Sequence, residues 1–191
     1  VLPGITYTLL DPQKVNKTHK LLLDASAAGD LSRVKDLVDS GIRVHESRPT
    51  GKTPLMVASE GGHKDVTSFL MRQMNLKEKA EALNTILPCC FTTPLMTAAS
   101  HGRSNIVQLL LEQGADPYTL EEGDKRRMAF AFAGMKGHTH VMHLLLKKMG
   151  ERDLIFSDTI YSLEYLVREG RLNEIALFMD EEVGKRLLKK E

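Results

Sequence analysis

Apolar residues recur along the chain at helical spacing, in short stretches. One stretch consists of Ile106, Val107, Leu109, Leu110 and Leu111. Positions three and four residues apart lie on one face of an α-helix, so each stretch predicts a short helix with one buried face. A single pair of such helices cannot bury all of its apolar surface, and the pattern therefore indicates that several pairs stack.

A longer motif repeats together with these stretches. Residues 51–63 align with residues 91–103, and both segments contain Thr-Pro-Leu-Met. A glycine near the end of this motif recurs at intervals of 33, 40, 35 and 33 residues. The glycines in question are Gly29, Gly62, Gly102, Gly137 and Gly170. Intervals of this length indicate an array of repeated helical units.

The motif carries signals for the start and the end of a helix. Thr53 and Thr93 can each cap a helix N-terminus through the side-chain hydroxyl. The proline that follows each threonine suits the first helical position, where no backbone N–H is needed. Gly62 and Gly102 suit the sharp turn after the first helix. Each repeat is therefore predicted to contain two short helices joined by a tight turn.

The motif resembles the ankyrin repeat, whose pattern runs Gly-x-Thr-Pro-Leu-His-x-Ala-Ala, then Gly-His, then Ile-Val-x-Leu-Leu-Leu and Gly-Ala-Asp. Residues 92–117 match this pattern almost in full. Met96 stands where the family has histidine, and Phe91 stands where it has glycine. The resemblance covers roughly residues 18–180. It implies an all-α fold, an ankyrin-repeat solenoid of stacked helix-turn-helix units with short finger-like turns.

The resemblance also divides the chain into segments. Five units of an ankyrin repeat domain are expected at about 18–44, 45–74, 88–117, 118–150 and 155–180. An extended or loosely packed N-terminal lead-in is expected at 1–17, and a C-terminal helical tail at 181–191. The first and last units have polar residues where internal units are apolar, as expected at the ends of an array.

Residues 75–87 form an insertion between the second and third units. Their apolar residues, at 76, 80, 83 and 87, have helical spacing. Asn75 can cap the start of this helix, and Pro88 is expected to stop it. The inserted helix either covers the interface between two units or forms a docking feature particular to this chain. The sequence leaves both interpretations open.

The composition limits which partners and which cellular compartment are expected. The chain has 191 residues, of which 42% are hydrophobic, and a formal net charge of +1, so no global attraction to nucleic acid is indicated. Cys89 and Cys90 are adjacent and poorly placed to bridge each other, which favours a reducing compartment. The cytoplasm is expected, with the nucleus or a host cytosol as alternatives. No apolar run approaches the roughly 20 residues that span a bilayer, so membrane insertion is not expected.

The sequence offers no clear catalytic or cofactor site. His138, His140 and His143 are close in sequence, but no cysteine or carboxylate nearby completes a tetrahedral ligand set, so no metal is expected. Glycine-rich phosphate loops and the common hydrolase motifs are missing from the sequence. The chain is therefore expected to be neither an enzyme nor a holder of a cofactor.

The resemblance implies that a partner binds in a concave groove, formed by the finger tips and the exposed side of each first helix. The residues that the register assigns to this groove are Pro49, Thr50, Lys52, Glu60, Cys89, Cys90, Thr92, Ser100, His101, Lys125, Arg127, Met135 and Lys136. They mix small, basic and sulfur-containing side chains. An extended or acidic segment of another protein would complement them.

The expected function is a protein–protein interaction module, acting as the scaffold, adaptor or targeting domain of a larger protein, with a bacterial effector as the favoured setting. One alternative is a regulatory or substrate-recognition domain of an enzyme whose catalytic part lies outside this chain. The other is an electrostatic binder of nucleic acid or anionic lipid. That reading depends on basic runs at 125–127 and 185–190.

Overall fold

The structure, a computed structural model, describes residues 12–44, 51–87, 90–120 and 128–149 and the single residues 164, 167, 168, 170 and 176. Nine helices lie within the continuous ranges. They are α1 Pro12–Ala28, α2 Leu31–Asp39, α3 Pro54–Gly61, α4 Lys64–Arg72, α5 Leu76–Asn84, α6 Pro94–Ser100, α7 Ser104–Glu112, α8 Ala129–Met135 and α9 Thr139–Met149. No helix in these ranges is long and apolar enough to cross a membrane.

The helices form four helix-turn-helix units and one added helix. The pairs α1–α2, α3–α4, α6–α7 and α8–α9 each pack internally. The first helices α1, α3, α6 and α8 then pack in one row, and the second helices α2, α4, α7 and α9 pack in another. The only β pairing in the described residues is an isolated antiparallel bridge between Leu87 and Thr92. The expected all-α repeat solenoid is confirmed.

The first helices begin as the sequence predicts. The Oγ1 atom of Thr53 accepts a hydrogen bond from the Met56 backbone N–H at 3.2 Å, and Thr93 does the same for Met96 at 3.3 Å. Prolines occupy the first position of both helices. Each hydroxyl satisfies one of the N–H groups that a helix N-terminus leaves without a partner. The predicted caps are confirmed.

The core lies between the two rows of helices and repeats from unit to unit. One apolar position of the first helices is filled by Leu22, Leu55, Leu95 and Phe130, and all four side chains are buried. In each of these four units an alanine follows three residues later and is also buried, so neighbouring helices can approach closely. In the first unit, Arg33 replaces the apolar residue found at its position in later units, and it is exposed. That unit therefore presents the polar outer face expected of an end.

In the second and fourth units, the histidine just before the second helix ties its unit to the preceding one. The His63 Nε2 atom donates to the Ala27 carbonyl at 2.9 Å, and His138 Nε2 donates to the Ser100 carbonyl at 3.1 Å. The mid-repeat glycine beneath the ring leaves room for it. A Cβ atom on Gly29 would lie 2.4 Å from the His63 Nδ1 atom, and Gly29 has a φ of +73°. His63 and His138, the histidines of the Gly-His pattern, thus have a structural role.

The inserted helix α5 differs in part from its prediction. Asn75 caps its start in a capping box with Glu78, as expected. The helix ends at Asn84, however, and not at Pro88, because the backbone is already extended at Thr85 (ψ 128°) and Leu87 pairs with Thr92. The Asn84 Oδ1 atom accepts a hydrogen bond from the Asp116 backbone N–H at 2.8 Å. Leu83 is buried in the same region. These contacts favour the interpretation that α5 covers an interface between units.

The N-terminal segment also differs from its prediction. Helix α1 already begins at Pro12, so residues 12–17 are helical where an extended or loosely packed lead-in was expected. Residues 1–11 and the predicted tail at 181–191 lie outside the described residues, as does most of the fifth unit.

Candidate partner-binding site

The residues predicted for the groove divide into two groups. Eight of them lie in the described part of the chain: Lys52, Glu60, Cys90, Thr92, Ser100, His101, Met135 and Lys136. The other five lie outside it: Pro49, Thr50, Cys89, Lys125 and Arg127. The described groove residues come from the finger segments, which directly precede α3 and α6, and from the C-terminal ends of α3, α6 and α8.

Glu60 is the centre of a polar cluster that joins the second and third units. Its Oε2 atom lies 2.5 Å from the Lys52 Nζ atom, and its Oε1 atom lies 3.5 Å from the His101 Nε2 atom. Its backbone carbonyl accepts a hydrogen bond from the Arg103 Nε atom at 2.9 Å. We refer to Lys52, Glu60, His101 and Arg103 as the Glu60 cluster. Three basic side chains thus converge on one acidic residue, one from the segment before α3 and two from the turn between α6 and α7.

The His101 ring is oriented by its own helix. Its Nδ1 atom lies 2.9 Å from the Thr97 carbonyl. Because a carbonyl oxygen can only accept, Nδ1 must carry a proton. The ring is thereby held with its Nε2 atom toward the Glu60 carboxylate.

Hydroxyl groups connect the Glu60 cluster to the finger of the third unit. The Oγ1 atoms of Thr92 and Thr97 lie 3.3 Å apart. The Thr97 hydroxyl also donates to the Thr93 carbonyl at 3.1 Å. Thr97 itself is buried, so its hydroxyl fixes the half-buried Thr92 side chain, while Glu60 and His101 remain open to solvent.

An aromatic residue stands at the finger end of this surface. Phe91 directly precedes Thr92, and its side chain is 48% exposed. It has a φ of +53°, a conformation that non-glycine residues rarely adopt. Its backbone N–H donates to the Leu87 carbonyl at 2.8 Å, which closes the turn before the bridge at Thr92. An exposed aromatic beside polar groups is typical of a binding surface, although single exposed apolar residues are also common.

The Glu60 cluster is open to solvent. The side chains of Lys52, Glu60 and His101 are 42%, 32% and 43% exposed. Ion pairs with this exposure contribute little to the free energy of folding. The cluster is thus better suited to contacting another molecule than to stabilising the fold, and its excess of basic groups suits an anionic one.

The remaining groove residues extend this surface toward the fourth unit. By register, Lys136 occupies in the fourth unit the position of His101 in the third, and Met135 occupies that of Ser100. Lys136 is exposed at the end of α8, whereas Met135 is half-buried. Ser100 and Cys90 are half-buried as well. The repeat therefore places a further positive charge on the same side as the Glu60 cluster.

Three residues that lie at this surface or directly beneath it were not assigned to it from the sequence. Arg103 stands at the histidine position of the Gly-His pattern, and the basic residue there was a usable signal. Thr97 stands at the variable position of the first helix, and Phe91 at the position of the family's glycine. The repeat register places all three, but it does not tell which side chains meet.

A second concavity is created by the inserted helix. A cleft of about 180 Å³ lies between α5 and the first turns of α3 and α6, and its walls include Met56, Ala82, Leu87 and the carboxylates of Glu78 and Glu81. In the described part of the chain, no group of three or more histidine, cysteine or acidic residues is arranged to hold a metal ion.

Comparison with known proteins agrees with the repeat architecture. The family model for ankyrin repeats, in three copies, matches residues 22–121. The chain is 33% identical over 135 residues to the mouse ankyrin repeat, SAM and basic leucine zipper domain-containing protein 1. The aligned residues cover 70% of this chain and 26% of the mouse protein. It is 34% identical over 96 residues to the mouse ankyrin repeat family A protein 2, and the aligned residues cover 50% of this chain and 30% of that protein.

A third relative is an ankyrin repeat and KH domain-containing protein of Caenorhabditis briggsae, 33% identical over 103 residues, which covers 54% of this chain and 4% of the nematode protein. The chain thus spans less than a third of the length of each of these relatives. Ankyrin repeats are in general non-catalytic modules that bind other proteins. The matched model covers more than half of the chain, and the chain belongs to the ankyrin repeat family.

Proposed function

We propose that this chain binds an extended, acidic segment of a partner protein along the concave surface formed by its second, third and fourth units. The observation that carries this proposal is the convergence of Lys52, His101 and Arg103 on Glu60, with Lys136 one unit further along. An excess of basic groups on one surface attracts a partner of opposite charge and orients it.

The proposed partner segment is extended because the surface is a row and not a pocket. Each repeat contributes the same positions at the ends of successive first helices, so contacts recur from unit to unit. Array proteins commonly use such a row for binding. The half-buried hydroxyl of Thr92 can hydrogen-bond a peptide backbone between the charged contacts. Phe91 can cover an apolar side chain of the same segment.

Within a larger protein, the proposed role is that of an adaptor or targeting domain in the cytoplasm or nucleus. The relatives named above combine ankyrin repeats with other domains, such as SAM, basic leucine zipper or KH domains, according to their names. They are animal proteins, so we do not extend the proposal to a bacterial effector. The role of a regulatory domain attached to an enzyme is a variant of the same proposal, because it also requires a bound polypeptide.

Charge reversal tests the proposed surface. The purified chain serves as bait in a cell lysate at two salt concentrations, and retained molecules are identified by mass spectrometry. We expect one partner protein, whose affinity falls about tenfold or more in the variant Lys52→Glu/Lys136→Glu. The matched control is Lys147→Glu/Lys148→Glu, which reverses two exposed charges in the last turn of α9.

An equal loss in both double variants would contradict the concave surface, since net charge alone would then determine retention. Retention of mainly RNA or anionic lipid, which washes off at the higher salt concentration, would replace the proposal with electrostatic binding of those molecules.

A further inference from the structure

We infer that Glu60 acts as an internal competitor of the partner, because it occupies the basic site that the partner's carboxylates would otherwise fill. This inference rests on the proposed function and adds how the affinity of that surface is limited. Its consequence is specific: removing the negative charge of Glu60 should strengthen the binding of an acidic peptide.

The geometry of the carboxylate supports this role. One oxygen of Glu60 contacts Lys52 and the other faces His101, so a single carboxylate engages basic groups of two units at once. A glutamate or aspartate of a partner segment could make the same two contacts. Both carboxylates cannot occupy this position together, because like charges at such separation repel. A partner must therefore displace Glu60 or bind beside it at an electrostatic cost.

The exposure of the cluster makes displacement feasible. The Glu60 side chain is 32% exposed, and exposed ion pairs are weak, so its rotation into solvent needs little free energy. Its backbone, by contrast, is held by Arg103 through the carbonyl oxygen. The carboxylate can thus leave the site while the surrounding helix ends remain in place.

The opposite assignment, in which Glu60 receives a basic group of a partner, fits the contacts less well. A partner cation that approached Glu60 would meet Lys52, His101 and Arg103, which already surround it. The balance of charge in the cluster favours an incoming anion. The two assignments predict effects of opposite sign when Glu60 is neutralised, and this makes the experiment decisive.

The experiment compares the full chain with its Glu60→Gln variant. Glutamine keeps the size of the side chain and can still accept a hydrogen bond from Lys52, so the fold should be unchanged, as circular dichroism and the melting temperature can verify. The probes are two labelled decapeptides, one alternating glutamate with serine and one alternating lysine with serine. Affinities are measured by fluorescence anisotropy at low and at physiological salt.

The matched control is Glu112→Gln. Glu112 is exposed and lies at the opposite end of α7 from Arg103. Its side chain accepts a hydrogen bond from Gln108 on the same helix. This variant changes the net charge by the same amount without touching the cluster. A unit charge about 5 Å away changes an affinity by roughly fourfold even in a water-like dielectric. We therefore expect the acidic peptide to bind Glu60→Gln at least about fourfold more tightly than Glu112→Gln.

Other outcomes would overturn the inference and can be told apart from failure of the proposed function. Equal affinities of the two variants would show that Glu60 does not compete. Weaker binding of the acidic peptide, or loss of lysine-peptide binding, in Glu60→Gln would make Glu60 a receptor for basic groups. A Lys52→Met variant that binds the acidic peptide as well as the unaltered chain, or no binding by any variant, would contradict both the inference and the proposed surface.

Discussion

Replacing Ser26 with alanine tests whether a buried hydroxyl in α1 lacks a partner. The Ser26 side chain is 0% exposed, and its Oγ atom finds no hydrogen-bond partner among the residues that the structure describes. Ser59 occupies the same position in α3 and is also buried, but its Oγ atom donates to the Leu55 carbonyl at 2.6 Å. In the third unit this position is Ala99, which is equally buried. The chain itself shows that a methyl group fits here.

The expected magnitude follows from this comparison. Burial of an unsatisfied hydroxyl costs about 1–3 kcal/mol, and alanine has a helix propensity better than that of serine by roughly 0.5 kcal/mol. We therefore expect Ser26→Ala to raise the free energy of unfolding by about 1–2 kcal/mol. Ser59→Ala loses a hydrogen bond worth about 1 kcal/mol and gains the same propensity, so its net effect should be within about 0.5 kcal/mol of zero.

The assay is urea unfolding followed by circular dichroism, with the free energy obtained by linear extrapolation. Repeat arrays can unfold in parts, so native-state hydrogen exchange of the α1 amides should accompany it. A gain confined to Ser26→Ala would support the reasoning. Destabilisation by Ser26→Ala, or equal changes in the two variants, would refute it, because the hydroxyl of Ser26 would then have a partner in solution.

Two further predictions concern packing between units. Gly29→Ala should lower the free energy of unfolding by about 2–4 kcal/mol, because the residue has a positive φ and the added Cβ would collide with His63. Gly114 also has a positive φ, but a Cβ added there would meet no atom within 4 Å, so Gly114→Ala should cost only about 1–2 kcal/mol. Equal losses of unfolding free energy for the two variants in urea would argue against the contact with His63. Leu83→Ala should cost about 2–4 kcal/mol if α5 covers the unit interface, whereas Leu76→Ala, at a side chain 85% exposed, should be close to neutral. Similar melting temperatures for these two variants would indicate that α5 is not packed as described.

Part of the proposed binding surface could be predicted from the sequence. The register alone placed Lys52, Glu60, Thr92 and His101 on one side of the array, because each repeat presents equivalent positions in the same direction. It did not indicate that Lys52 and His101 share the carboxylate of Glu60. That arrangement depends on the distance between the second and third units, which is set by helix packing and not by local pattern.

The sequence by itself determined the features that depend on short-range interactions. The caps at Thr53 and Thr93, the turn at Gly62 and the alternation of two helices per unit involve residues a few positions apart, so the local pattern is sufficient to predict them.

Only the tertiary structure decided the features that depend on distant contacts. Helix α5 ends at Asn84, although its local pattern continues toward Pro88. The chain there becomes extended and pairs Leu87 with Thr92, and the Asn84 side chain bonds to the backbone of Asp116 in the third unit. The Glu60 cluster likewise forms only when the second unit, which carries Lys52 and Glu60, packs against the turn between α6 and α7. Such contacts join residues of different units, and their geometry is fixed by the stacking of the helices around a shared core.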